Sequence, residues 1–253
     1  MPVDLITVPC LSDNYAFLIH DAATDRTALV DVPEAAPIRA ELDRRGWTLT
    51  DILITHHHPD HVQGLEALRG DARVIGAKAD AHRLPRLDTE VADGDTLSVC
   101  GQEVRVMDVS GHTVGHIAFH LPQAKLLFTA DSLMAMGCGR LFEGTPAQMW
   151  DSLLKLRALP AETVVCSGHE YTSANMAFAL SLEPANPRLI LRGQEVAATR
   201  AAGGFTVPST LATEVETNPF LRADDPDLAA AVGLSGADAI AVFTEIRARK
   251  DRF

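Results

Sequence analysis

The residues Thr55-His56-His57-His58-Pro59-Asp60-His61 pack four imidazoles and one carboxylate into a single short stretch. They follow Asp51-Ile52-Leu53-Ile54, an apolar run that reads as a short buried strand. A cluster of this kind at a strand exit reads as a metal site. In an extended segment side chains alternate, so His56 and His58 face one side and His57 the other. Asp60 and His61 fall in the first turn of a predicted helix, Pro59 to Leu68, and address a neighbouring position.

Three further strand-like runs also end in a metal-capable residue: Val104 to Val109 leads to His112, Leu126 to Thr129 to Asp131, and Val164 to Cys166 to His169. Strand ends on one edge of a sheet converge on one surface, so these distant positions are expected to assemble a single site. The donors His56, His58, Asp60, His61, His112, Asp131 and His169 are too many for one ion with an open position, and they suit two. Paired ions need a shared anionic ligand, and a strand-end aspartate such as Asp131 can bridge them.

Around this nucleus the chain alternates strand and helix. Short apolar runs (Leu5 to Val8, Tyr15 to Ile19, Ala28 to Val30) precede a helix at Ala35 to Arg45, which has Pro37 near its start and Gly46 past its end. Ala79 to Gly94 is polar and irregular. Thr145-Pro146-Ala147-Gln148 is a capping box opening a helix to about residue 159. From Thr172 onward alanine-rich helical patterns take over, at roughly 173–182, 188–202, 210–215 and 238–250. The expected division is therefore an α/β domain over 1–172 and a helical domain over 173–253.

The formal charge of −12, from 22 basic and 34 acidic residues, argues against nucleic acid or an anionic membrane as partner. An anionic substrate would need a local cluster of basic residues. No run approaches the roughly 18 apolar residues of a membrane span, and Met1-Pro2-Val3-Asp4 lacks the basic start of a signal peptide. The expectation is a cytoplasmic monomer. Cys10, Cys100, Cys138 and Cys166 are far apart and read as free thiols.

Together, Thr55-His56-x-His58-x-Asp60-His61, Gly111-His112-Thr113, Ala130-Asp131-Ser132 and Gly168-His169-Glu170 resemble the metallo-β-lactamase superfamily. The likeness is closer to its glyoxalase II (hydroxyacylglutathione hydrolase) branch. Asp13-Asn14-Tyr15, Cys138-Gly139-Arg140-x-Phe142-Glu143-Gly144-Thr145, Gly168 to Thr172, Asn218 to Arg222 and Arg247-x-x-Lys250-Asp251-x-Phe253 carry that likeness from end to end. The resemblance implies an α+β fold, an αββα sandwich with a C-terminal helical domain. It implies one ion on His56, His58 and His112, another on Asp60, His61 and His169, and Asp131 between them, with Asp60 also orienting the nucleophile. Zinc is the expected metal, though the donor types suit iron and manganese too.

The implied activity is hydrolysis of the thioester S-D-lactoylglutathione to glutathione and D-lactate, the second step of methylglyoxal detoxification. Arg140, Phe142, Tyr171, Arg247 and Lys250 match the residues that hold the glutathione portion in the family. Some relatives carry lysine at Arg140 and tyrosine at Phe142, and the family's usual Gly-Asp is Ala130-Asp131 here.

Other readings stand beside these. His57 and His116 read as supporting or packing histidines, and His20, His82 and His120 as ordinary ones. Cys138 reads as a small loop residue, since no activating base accompanies it. Tyr171 reads equally as a core aromatic. A mononuclear-iron persulfide dioxygenase of the same superfamily is the alternative enzyme, and a non-catalytic metal-dependent binding module the alternative class. A lactamase or lactonase fits the C-terminal basic pair poorly.

Overall fold

The computed structural model describes residues 3–253; Met1 and Pro2, which open the N-terminal tetrapeptide, lie outside the described residues. Strands β1 (Asp4–Cys10), β2 (Asn14–Asp21), β3 (Arg26–Val30), β4 (Leu49–Leu53), β5 (Arg73–Ala77) and β6 (Thr89–Val91) form one sheet in that order. A second sheet is built from β7 (Thr96–Val99), β8 (Gln102–Asp108), β9 (Ile117–Leu121), β10 (Leu126–Ala130), β13 (Val164–Ser167) and β14 (Ser209–Thr210), in the order β14-β13-β10-β9-β8-β7. A small hairpin, β11 (Leu133–Met134) and β12 (Gly137–Cys138), leaves the end of β10.

Period-two alternation decides which side chains meet between the sheets. Phe17, Ile19, Val30 and Leu53 point inward against Val106, Phe119 and Phe128 of the other sheet. Their neighbours Leu18, Leu29, Ile52 and Ile54 point outward. There they pack on α1 (Ala35–Arg45) and the short helices α2 (Pro59–Val62) and α3 (Leu65–Leu68), and so are buried on both faces of the sheet. The outer face of the second sheet is covered by α4 (Pro146–Arg157) and by helices that follow β13: α5 (Thr172–Leu182), α7 (Leu211–Thr217), α8 (Pro226–Ala231) and α9 (Ala239–Arg252), with α6 (Pro187–Ala201) packed on α5. The architecture is the expected α+β sandwich of helix, sheet, sheet and helix.

Several local expectations hold at the residue level. Gly46 ends α1 in the left-handed conformation, at φ 70°, and Thr145 with Gln148 forms the capping box of α4. Two expectations change. Pro59 to Leu68 is not one helix, because Gly64 lies against the backbone of Val32 to Ala35 and donates its N–H to the Val32 carbonyl at 2.9 Å. The polar stretch 79–94 is not wholly irregular, since it contributes the three-residue edge strand β6.

A buried ion pair fastens the C-terminal helices to the β11–β12 hairpin. Glu214 on α7 is fully buried and pairs with Arg192 on α6. Its carboxylate also accepts from the Met136 N–H at 2.8 Å and the Ser209 hydroxyl at 2.7 Å. Removing one partner leaves the other charge buried without compensation. Glu214→Ala is therefore expected to cost about 3–5 kcal/mol of stability, read from urea unfolding; a loss below about 1 kcal/mol, the range of an exposed pair, would contradict this role.

Candidate metal centre

The seven donors named from the sequence come together at one end of the sandwich. They do so from two sheets rather than from one edge: His56, His58, Asp60 and His61 follow β4, whereas His112, Asp131 and His169 follow β8, β10 and β13. Backbone hydrogen bonds join these ends across the sandwich, from Tyr15 N–H to Gly168 O at 2.8 Å and from Ile117 N–H to Thr55 O at 3.0 Å.

Four of the histidines have their tautomer fixed by a hydrogen bond on Nδ1. His61 donates to Asp31 Oδ2 at 2.8 Å, His112 to the Arg140 carbonyl at 2.7 Å, His169 to Asp13 Oδ1 at 2.9 Å and His56 to the Thr55 hydroxyl at 3.0 Å. Each ring then presents Nε2 inward. His58 is reversed and brings Nδ1 to 3.0 Å from His112 Nε2.

The inward atoms form two sets, His56 with His58 and His112, and Asp60 with His61 and His169. Asp131 faces both. Its Oδ1 is 3.5 Å from His61 Nε2 and 3.3 Å from His169 Nε2, and its Oδ2 is 3.4 Å from His112 Nε2. Asp60 Oδ2 is 3.4 Å from His169 Nε2 and 3.7 Å from His61 Nε2. Donors arranged tetrahedrally at 2.0–2.2 Å from a centre lie roughly 3.3–3.6 Å apart, so most of these separations are those of atoms sharing an ion.

Two observations test whether the donors fit metal. The buried atoms His56 Nε2, His61 Nε2 and Asp131 Oδ1 have no hydrogen-bond partner, a costly arrangement unless a cation meets them. The local electrostatics agree. Burial drives His56 well below its ordinary pKa and His58 down to about 4, so their lone pairs are free. Burial also opposes charge on His61 and Asp131, yet their mutual attraction, with Asp31 and His169 assisting, outweighs it: His61 is held well above its ordinary value and Asp131 well below. Carboxylates that draw protons onto neighbouring imidazoles will exchange those protons for a divalent ion. The donors fit a pair of divalent ions.

Gly168 and the bend before Asp131 make the approach possible. A Cβ at Gly168 would lie 2.7 Å from Asp131 Oδ1 and 2.8 Å from His61 Cε1. The β10–β13 register shifts between Phe128 and Ala130, and Ala130 takes a φ of 42°, a left-handed conformation that costs alanine more than glycine.

His58, Asp60, His112, Asp131 and His169 floor a cavity of about 510 Å3 lined also by Arg140, Phe142, Tyr171, Met134 and Gly139. Tyr171 is not a core aromatic: it is 39% exposed and stacks on His169 at 4.6 Å. Phe142 stands edge-on to His58 and His112, at 5.6 and 5.3 Å. Arg247 and Lys250 do not line this cavity. Arg247 is buried and donates to the Cys138 carbonyl at 2.9 Å; Lys250 Nζ contacts the Ala174 carbonyl at 3.2 Å. A larger cleft, about 840 Å3, lies among α5 to α8, where its arginines are paired with acids of the same cleft.

His57 turns away from both donor sets to Asp80, at 2.9 Å. His116 stacks on His56 at 4.5 Å, and burial takes it down to about 3. Burial pushes the Cys138 thiol up to about 11, which removes it as a nucleophile. Asp31, Asp13 and Asn14, which belong to no metal motif in the sequence, support the donors from behind. Asn14 Nδ2 donates to Asp60 Oδ2 at 3.0 Å. Asp31 ends β3 much as Asp131 ends β10, and that shared position is the signal that could have found it.

The fold and the paired donor sets define a member of the metallo-β-lactamase superfamily. Residues 12–169 match the family model described as "Metallo-beta-lactamase superfamily", and 170–253 match "Hydroxyacylglutathione hydrolase C-terminus". Relatives named hydroxyacylglutathione hydrolase are 64% identical in Ruegeria pomeroyi, over the whole of both chains, and 63% in a Jannaschia species, over 98% of each. The chain belongs to the hydroxyacylglutathione hydrolase family. Among solved structures, the BLEG-1 B3 metallo-beta-lactamase superposes with a TM-score of 0.67 at 20% identity, over 86% of this chain and 99% of that one. ETHE1 from Myxococcus xanthus gives 0.66 at 25%, over 99% and 98%.

Asp31→Asn keeps the shape but weakens the acceptor that orients His61. Metal affinity is expected to fall about 10–100-fold, measured by competition with a chelator; unchanged affinity would contradict the assignment.

Proposed function

We propose that the protein hydrolyses S-(2-hydroxyacyl)glutathione thioesters, S-D-lactoylglutathione in the first place, to glutathione and the free 2-hydroxy acid. The two donor sets sharing Asp131 carry this reading, because they suit a pair of divalent ions beside a cavity open to a small ligand. Full-length identity of about 60% to relatives of that name supports it. Zinc is the proposed metal. Ions held there would supply a nucleophile from water near neutral pH and polarise the thioester carbonyl.

The chain's own residues do the rest. His56, His58 and His112 form one holding set, Asp60, His61 and His169 the other, and Asp131 fixes their spacing. Asp60, steadied by Asn14, sits where it can orient the attacking oxygen. Phe142 and Tyr171 wall the cavity beside the donor floor and hold the glutathione thioester there. The expelled thiol, with an ordinary pKa of about 8.5, departs as thiolate, so no side chain has to protonate it. Arg140 supplies direct positive charge at the cavity mouth for the glutathione carboxylates, while Arg247 and Lys250, which do not line the cavity, add to the positive field there, and Arg247 braces the loop that bears Arg140. In this reading residues 1–172 form the catalytic unit and 173–253 the helical substrate-binding unit, acting as a monomer in the cytoplasm. Among the described residues no helix is long and apolar enough to cross a membrane.

The test compares hydrolysis of S-D-lactoylglutathione with that of a thioester of the same acyl group on a short thiol. The glutathione thioester is expected to have a kcat/KM at least about 100-fold higher, since binding energy from the remote portion is lost on truncation. Equal rates would remove glutathione from the proposal and leave only a thioesterase. Oxygen uptake with a persulfide substrate would instead establish the dioxygenase alternative.

A further inference from the structure

A chain of net charge −12 that takes an anionic thioester needs its few local cations free. At the cavity the exposed cation is Arg140, whose side chain is 59% exposed. Its Nε lies 3.4 Å from Asp251 Oδ1, near the end of α9. That separation is an ion pair without a good hydrogen bond. The same Asp251 oxygen is 3.0 Å from Arg247 Nη2 and 3.2 Å from Arg247 Nε.

The two arginines differ in freedom. Arg247 is held on three sides, by Asp251, by the Cys138 carbonyl at 2.9 Å and by the Phe220 ring, 4.9 Å from its guanidinium carbon. Turning it toward a ligand would break a buried hydrogen bond and leave the Cys138 carbonyl unpaired. Arg140 has only the loose contact to Asp251. A carboxylate entering the cavity mouth therefore recruits Arg140 at the smaller structural cost, and to do so it must draw Arg140 away from Asp251.

We propose that Asp251 is an internal competitor for Arg140: its carboxylate takes, in the free chain, the contact that a carboxylate of the glutathione portion takes on binding. This rests on the substrate reading given above. Asp251 stays neutralised by Arg247 when Arg140 leaves, so the exchange uncovers no unpaired charge. Product glutathione carries the same carboxylates as the substrate, so the competition lowers affinity for both and eases release of the product.

The experiment combines steady-state kinetics on S-D-lactoylglutathione with inhibition by S-methylglutathione, a thioether that cannot be hydrolysed. Asp251→Asn is expected to lower KM and the inhibition constant together, by roughly two- to fivefold for so exposed a pair. The kcat/KM for a thioester lacking glutathione should not move, and in an Arg140→Gln background Asp251→Asn should change neither constant. A rise or no change in Asp251→Asn, or the same fall without Arg140, would overturn the proposal, since a residue that merely orients Arg140 weakens binding when lost. If Asp251→Asn unfolds the chain through Arg247, Asp251→Glu serves: it keeps the charge, and both constants stay at or above wild type, whereas a fall contradicts the competition. Failure of the substrate reading is separately visible, because wild type would then prefer neither thioester and S-methylglutathione would not inhibit it.

Discussion

The carboxylate of Asp131 has one oxygen toward His61 and His169 and the other toward His112. This shared contact is what the surrounding structure is arranged to hold. A buried carboxylate is expensive unless charge meets it on every side. Here the surrounding imidazoles, oriented from behind by Asp31, Asp13, Thr55 and the Arg140 carbonyl, meet it with nitrogen lone pairs and protons that divalent ions replace. Neither sheet could build this alone, because each supplies only part of the donors. Their convergence depends on the cross-sheet bonds of Tyr15 and Ile117.

Backbone conformation is spent at the same place. Ala130 and Asp31, which end strands from opposite sheets, both have positive φ, at 42° and 57°. Such conformations persist where the surroundings over-determine them and commonly mark functional sites. Gly168 and Gly139 complete the arrangement by omission, since a side chain on either would collide with Asp131 or a neighbouring histidine. The glycine pattern and the acidic strand ends therefore serve one requirement, the close approach of two donor sets to one carboxylate.

Much of this was legible from the residues. The His56 and His58 pair followed from strand alternation, the role of His57 from the same alternation in reverse, and the capping box at Thr145 from side-chain chemistry that acts within one turn. What failed to show was non-local. The break at Gly64 depends on backbone of residues 32–35, and β6 is an edge strand too short and polar to announce itself. Asp31 was hidden for a different reason, since a single acid at a strand end has no local partner until β4 lies beside β3. For Arg247, i,i+3 spacing with Lys250 suggested a free pair of cations, whereas packing on Phe220 and Cys138 withdrew one of them from solvent.

Specificity in this account lies on the rim and chemistry on the floor, and the two are joined by the 138–142 segment. Arg140 gives its carbonyl to His112 and its side chain to the cavity mouth, so the same residue orients a donor and lines the entrance. The most direct test of the whole arrangement is the metal content of Asp131→Asn, measured by mass spectrometry beside thioester hydrolysis. Loss of the shared negative charge should empty both sets and abolish activity together, against two ions per chain in wild type. An Asp131→Asn protein that keeps two ions and full activity would contradict the bridge on which the account rests.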